Sequence, residues 1–117
     1  MSGPKYEITS ETKVIDGGIE LHRIRALKTI RIYNCTIRPG DPGGWVERKT
    51  NLSQSGKCWI GKEAMVYGHA RVSGNAQVYG AASVYGHAWI YGSAEVFCTA
   101  RVHDYALIHG HARVYGR

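Results

Sequence analysis

Residues 64–117 read AMVYGH, ARVSGN, AQVYGA, ASVYGH, AWIYGS, AEVFCT, ARVHDY, ALIHGH, ARVYGR, nine hexads without a break. Ala opens every hexad, from Ala64 to Ala112, and Val or Ile holds every third position. Gly holds the fifth position in seven hexads, with Cys98 and Asp104 in the other two. Self-similarity at a short fixed period takes precedence over local propensity. A period of six drifts around a 3.6-residue helix and leaves no single apolar stripe. A Gly in each hexad would also cost a helix about 1 kcal/mol each time. A strand accommodates the pattern, because positions one and three lie two apart and point to one side. Gly at position five then permits the positive φ of a corner. Three strands and three corners make a triangular coil of three hexads, and coils stack at about 4.8 Å. Each backbone group is satisfied only by the coil above or below it. The nine hexads make three coils; Cys58 and Ile60 continue the frame upstream, and Leu52 opens one more degenerate hexad.

Residues one coil apart must then stand in columns. Tyr79, Phe97 and Tyr115 form one; Tyr67, Tyr85 and His103 a second; Ser73, Tyr91 and His109 a third. His69 and His87 stack beneath Tyr105, and Arg71, Trp89 and Leu107 share a column. Stacked aromatics stabilise such a ladder by about 0.5–1.5 kcal/mol per pair. The same rings, exposed, are common interface anchors, and Trp89 breaks the polar run at its position.

Residues 1–50 lack the repeat and are read as a β-rich N-terminal cap on a solenoid of residues 51–117. An open solenoid end would expose apolar side chains and unpaired edges. Val14 to Leu27 reads as two short strands around Asp16-Gly17-Gly18. Thr29 to Arg38 is a further β-prone run, and Pro39 to Gly44 is a turn cluster. At the other end the repeat reaches Arg117 in register, so self-association through an uncovered coil or a solenoid face is expected, with Arg113 and Arg117 blunting the edge by charge.

The hexads resemble the hexapeptide-repeat family, whose fold is the left-handed parallel β-helix; the handedness is implied by that resemblance alone. With Lys5-Tyr6-Glu7, His22 to Leu27, Gly40 to Glu47 and Asn51-Leu52-Ser53 added, nearly the whole chain resembles small phage and prophage proteins that carry the label hexapeptide transferase. The run Thr29 to Arg38 departs from that pattern. The resemblance implies a phage-type origin and no particular activity.

Composition narrows the function. Three cysteines, Cys35, Cys58 and Cys98, have no metal spacing and suit a reducing, cytoplasmic setting. No run approaches the ~20 apolar residues of a membrane span, and no leader sequence is visible in residues 1–10. The formal charge of +6 is dispersed, so weak nucleic-acid contact is expected rather than a dedicated nucleic-acid face.

Acyltransferases of the hexapeptide family use a His as general base and bind coenzyme A between subunits. His22, His69, His87, His103, His109 and His111 are available here, but no inserted loop interrupts the hexads to wall off an acceptor. The zinc enzymes of the family need three protein ligands, and their close His pair is missing. The reading is therefore a non-catalytic, cofactor-free β-solenoid that binds a macromolecular partner. That partner is a host protein or ribonucleoprotein, and inhibition of a defence complex such as a CRISPR effector is one form of it. Trp89, Tyr85, Tyr91 and Arg71 on the coils, with Arg23, Arg25, Arg31 and Arg38 on the cap, are the expected contacts. A coenzyme-A-dependent acyltransferase and a structural or assembly protein are the competing classes.

Overall fold

The computed structural model describes residues 3–32 and 35–116. It is all-β, and among the described residues the only helical pieces are two single 3-10 turns. A long hairpin, β1 (Tyr6–Ile15) and β2 (Ile19–Ala26), is followed by a small one, β3 (Ile30–Ile32) and β4 (Cys35–Ile37), and by β5 (Pro42–Val46). Ten two-residue strands complete the chain: β6 (Trp59–Ile60), β7 (Met65–Val66), β8 (Arg71–Val72), β9 (Gln77–Val78), β10 (Ser83–Val84), β11 (Trp89–Ile90), β12 (Glu95–Val96), β13 (Arg101–Val102), β14 (Leu107–Ile108) and β15 (Arg113–Val114). They stack in parallel on three faces, with orders β5-β7-β10-β13, β8-β11-β14 and β6-β9-β12-β15, so the repeat is a β-solenoid of about four coils.

The hexad grammar has a simple physical cause. Every hexad-opening Ala from Ala64 to Ala94 and every third-position branched residue from Val66 to Val96 is essentially without solvent contact. The small residue sits where the triangle narrows, and the branched one fills the middle. Each coil donates along the axis to the next, as in Met65 N to Ala82 O at 3.0 Å and Tyr85 N to Val102 O at 2.9 Å. The corner glycines from Gly68 to Gly92, and Gly110, carry φ of 64–73°. Cys98 and Asp104 occupy the same left-handed conformation at φ 60°. That conformation costs an L side chain about 1–2 kcal/mol. Cys98→Gly is expected to raise stability by about 1 kcal/mol, the gain being trimmed by the greater freedom of Gly in the unfolded chain. A lowered thermal midpoint for this variant would refute the strain argument.

The first coil is complete, which the hexads alone did not reveal. Trp45 and Val46 pair with Met65 and Val66, Leu52 bridges Val72, and Trp59 and Ile60 pair with Gln77 and Val78. Leu52 therefore holds the branched position, not the Ala position that opens a hexad. Its offset to Val72 is two residues longer than a regular coil, and the excess lies in the loop before Cys58, where Gly56 has φ 73°. The buried Asn51 secures the preceding corner, between β5 and Leu52. Its Oδ1 accepts from the amides of Glu47 (2.9 Å) and Arg48 (2.8 Å), and its Nδ2 donates to Ala70 O (2.9 Å) and Gly68 O (3.3 Å).

Three expectations for the cap are revised. The first hairpin turns at Asp16–Gly18 as expected, with Gly17 and Gly18 at φ 85° and 79°, but β1 extends back to Tyr6. Its centre, Thr9 to Lys13, is polar, and a bulge between Ile8 and Thr12 breaks its alternation, so the sequence understates it. The β-prone run is a pair of strands, Ile30 opposite Ile37 and Ile32 opposite Cys35. In the turn cluster only Pro39 and Gly40 turn, and Pro42 to Val46 is strand. Gly43 and Gly44 are glycine for want of room: a Cβ at Gly44 would lie 2.3 Å from Gly61 O and 2.5 Å from Ala64 O. Strand β5 joins cap to solenoid, antiparallel to β2 and parallel to β7.

The cap and coils share one core, in which Tyr6, Ile24, Ala26 and Ile30 continue into Val46, Trp59 and Ile60. The Tyr6 ring meets Trp59 edge-on at 6.5 Å, and its hydroxyl donates to Leu52 O and to Lys49 O (3.2 Å). Lys5 is buried alongside, its ammonium donating to Cys58 O (2.7 Å) and Cys58 Sγ (3.2 Å). Burial lowers the Lys5 ammonium from its ordinary value, with Cys58 partly offsetting this. Burial also pushes the Tyr6 phenol up from 10.0 to about 12, helped by Cys58. Between those two values the unfolded chain loses the phenol proton first, so Tyr6 makes stability fall as pH rises. The loss over the window is roughly 3 kcal/mol. Lys5 acts with the opposite sign below 10.5, because the unfolded chain then holds the extra proton. Urea midpoints measured across alkaline pH should fall less steeply in Tyr6→Phe than in wild type; equal slopes would refute the assignment.

Candidate functional site

The β8-β11-β14 face and its flanking corners carry exposed apolar side chains in adjacent columns. Arg71, Trp89 and Leu107 point outward in register. Trp89 is 42%, Leu107 57% and Tyr105 77% exposed. The flanking corners supply the neighbouring columns. His69 and His87 stack at 5.0 Å and His87 and Tyr105 at 4.8 Å on one side, with Tyr91 and His109 at 5.2 Å on the other. Trp89 leans on Tyr91 at 4.8 Å and donates its indole N–H to Ser73 Oγ at 3.1 Å. The backbone ladder beneath fixes every one of these side chains at a rung, so the face is preorganised. His69, Arg71, His87 and Trp89 border a shallow recess of about 320 Å³.

The structure brings Trp89, Tyr91 and Arg71 together. Tyr85 stands around the corner, stacked between Tyr67 (5.1 Å) and His103 (5.4 Å), beside Arg101 and the tip of the first hairpin. Tyr67 and Tyr79 both have phenols raised by partial burial, Tyr79 also by its bond to Glu95. The cap arginines are not one group. Arg23 is committed internally: it donates to Gly43 O (2.6 Å) and Lys62 O (2.9 Å), lies 4.2 Å over the Trp45 ring, and its side chain is 11% exposed. Arg25 is paired with Glu7. Arg31 is exposed on β3 and lines a different recess, and Arg38 is exposed beside the Pro39-Gly40 turn. Of the two edge arginines, Arg113 pairs with Glu95 at 3.3 Å, and Arg117 lies outside the described residues.

Two concavities escaped the sequence reading. One is an apolar groove of about 410 Å³ between the small hairpin and the β6-β9 face, floored by Ile32, Ile37, Trp59 and Tyr79. The other, of about 690 Å³, lies between the N-terminal segment, β3 and the loop at 54–57. Neither follows from a local motif, because each wall comes from a different part of the chain.

Chemically the Trp89 face can stack, pack and hydrogen-bond. Among the described residues, no group of three or more His, Cys, Asp and Glu side chains is placed to hold a metal. No helix of the described residues is long and apolar enough to cross a membrane. No protein-family model matches the chain. It is similar to the uncharacterized acetyltransferase YdcK of Escherichia coli (strain K12), 34% identical over 71 residues, which is 56% of this chain. The chain spans only 22% of that relative's length. The stacked hexads and this likeness both belong to the hexapeptide-repeat pattern, and neither bears on a phage origin.

Proposed function

We propose, on the premise that the chain is a hexapeptide-repeat β-solenoid, that it is a binding protein whose β8-β11-β14 face docks a macromolecular partner. The exposure of Trp89, Tyr105 and Leu107 on one rigid face carries this reading. Buried Trp and Tyr anchors contribute most of the affinity where they are held in place before contact. A tagged chain captured from host lysate in moderate salt should retain a stoichiometric protein or ribonucleoprotein. Trp89→Ala should weaken that complex by about thirtyfold or more. Capture unchanged in this variant removes the face from the interaction. Inhibition of a host defence complex is the finer form of the proposal, motivated by the phage resemblance. Expression of the chain should then protect phage from an active defence system, and no protection across a panel would end it.

The likeness to a protein named as an acetyltransferase favours a second reading, acyl transfer with coenzyme A. His87, beside Trp89 and Arg71, is the base this reading would use. Calorimetric titration with coenzyme A separates the two: binding that His87→Ala leaves intact while acyl transfer disappears would favour catalysis. A third class, assembly protein, requires large species in solution at micromolar concentration.

A further inference from the structure

We propose that the recess beneath the cap binds a small ligand bearing two or more phosphates, held by Lys28, Arg31 and Lys57. The recess measures about 690 Å³, within the usual range for small-molecule sites. Four cations line it, Lys5, Lys28, Arg31 and Lys57, and no Asp or Glu does. They arrive from three separate stretches of chain, so their convergence is a product of the fold. Of the arginines outside the recess, Arg23, Arg25, Arg48 and Arg113 are in ion pairs. Among the described residues, Lys28, Arg31 and Lys57 are in none.

Gathering like charges in a concave, partly dry wall is unfavourable without an anion, and it focuses the field where an anion would sit. The wall itself is fixed. The buried Lys5 ammonium donates to Ser55 O (3.4 Å), Gly56 O (3.3 Å) and Cys58 O (2.7 Å), which ties down the loop carrying Lys57. Gln54 adds a second tie, accepting from the amides of Lys5 (2.7 Å) and Tyr6 (3.2 Å). Lys5 thus supplies positive charge from behind, and the other three supply contacts. The Arg31 guanidinium offers a planar fork and the lysines point charges, both suited to phosphate oxygens. Thr29 and Ser55, also in the lining, bring hydroxyl donors. Three contacting cations exceed what one phosphate neutralises, and the volume exceeds what one phosphate fills. An oligophosphate, free or carried by a nucleoside, matches both.

The test is calorimetry on the full chain with inorganic tripolyphosphate and, separately, ATP, at low and moderate salt. Binding of either is expected, weakening as salt rises. Arg31→Gln and Lys57→Gln should each weaken it about tenfold, and together about a hundredfold. Both side chains are exposed, so the variants should fold. Lys49→Gln, an exposed cation outside both the recess and the Trp89 face, should leave it unchanged. ATP bound more tightly than tripolyphosphate would assign the remaining volume to a nucleoside; equal binding would assign the site to the phosphate chain. No binding of either ligand would overturn the proposal. So would binding that survives the double substitution, or that Lys49→Gln weakens equally. An oligonucleotide held through the same residues while tripolyphosphate is not would overturn it in favour of a nucleic-acid surface.

Discussion

Gly44→Ala is expected to lower stability by about 3 kcal/mol, as a severe case of overpacking. The added methyl would meet two backbone carbonyls, Gly61 O at 2.3 Å and Ala64 O at 2.5 Å, and the Ile60 side chain at 2.5 Å. No side chain can rotate away to relieve the first two. Ala64 O also accepts from Trp45 N at 3.0 Å, so moving it breaks the bond that joins β5 to the first full hexad. The variant should lose about 10–15 °C in thermal midpoint. Gly40→Ala is the control. Gly40 has φ 93° with nothing within 4 Å of a Cβ, so only conformational strain applies, about 1–2 kcal/mol. Equal losses at the two positions would mean that Gly44 is there for flexibility, contrary to the packing argument.

Asn51→Leu should cost about 4 kcal/mol, since it leaves several buried backbone groups without partners at about 1–3 kcal/mol each. The amides of Glu47 and Arg48 lose their acceptor, and Ala70 O and Gly68 O lose a donor. Leu keeps the branched shape of Asn, but its bulkier methyls at 2.8–2.9 Å from the same backbone atoms add overpacking to the loss. Asn51→Asp separates the two halves of the network. A carboxylate keeps both amide bonds but faces the two carbonyls as a like-signed group. Burial and those carbonyls favour its protonated form, so its folded pKa lies above the unfolded one. The variant is then most stable below the ordinary carboxylate range and weakens as pH rises through the folded value. Chemical denaturation of wild type and both variants at two pH values checks this. An Asn51→Leu loss within the range of a surface substitution would show that the corner between β5 and Leu52 holds without the amide.

The coils were legible in the sequence because their cause is local and repeated. Ala, a branched residue and a corner Gly each answer one geometric demand, and the same demand returns every six residues. The aromatic columns followed from arithmetic on that period, and the ring spacings agree with it. The first coil was harder. Its rungs are Val46, Leu52 and Ile60, and two surplus residues before Cys58 displace the frame. Gly43 and Gly44 show why composition misleads at such joints: glycine marks a bend or a close approach, and only the neighbours tell which. The recess cations and the Lys5–Cys58 contact depend on residues some fifty positions apart, which no window along the chain can join. Arg23 looked like a free cation and is a tie between two strands and an indole.

The axial ladder, in which each coil bonds only to its immediate neighbours, makes length a quantised trait. A stretch such as residues 65–82 spans one coil, with Met65, Arg71 and Gln77 pairing Ser83, Trp89 and Glu95 of the next. Unequal recombination between such units would add or drop one whole storey, leaving the cap and the outward columns in phase. Reach along the axis would therefore drift in a lineage in discrete steps of one strand spacing, while surplus residues would be kept only where a corner loops out, as before Cys58.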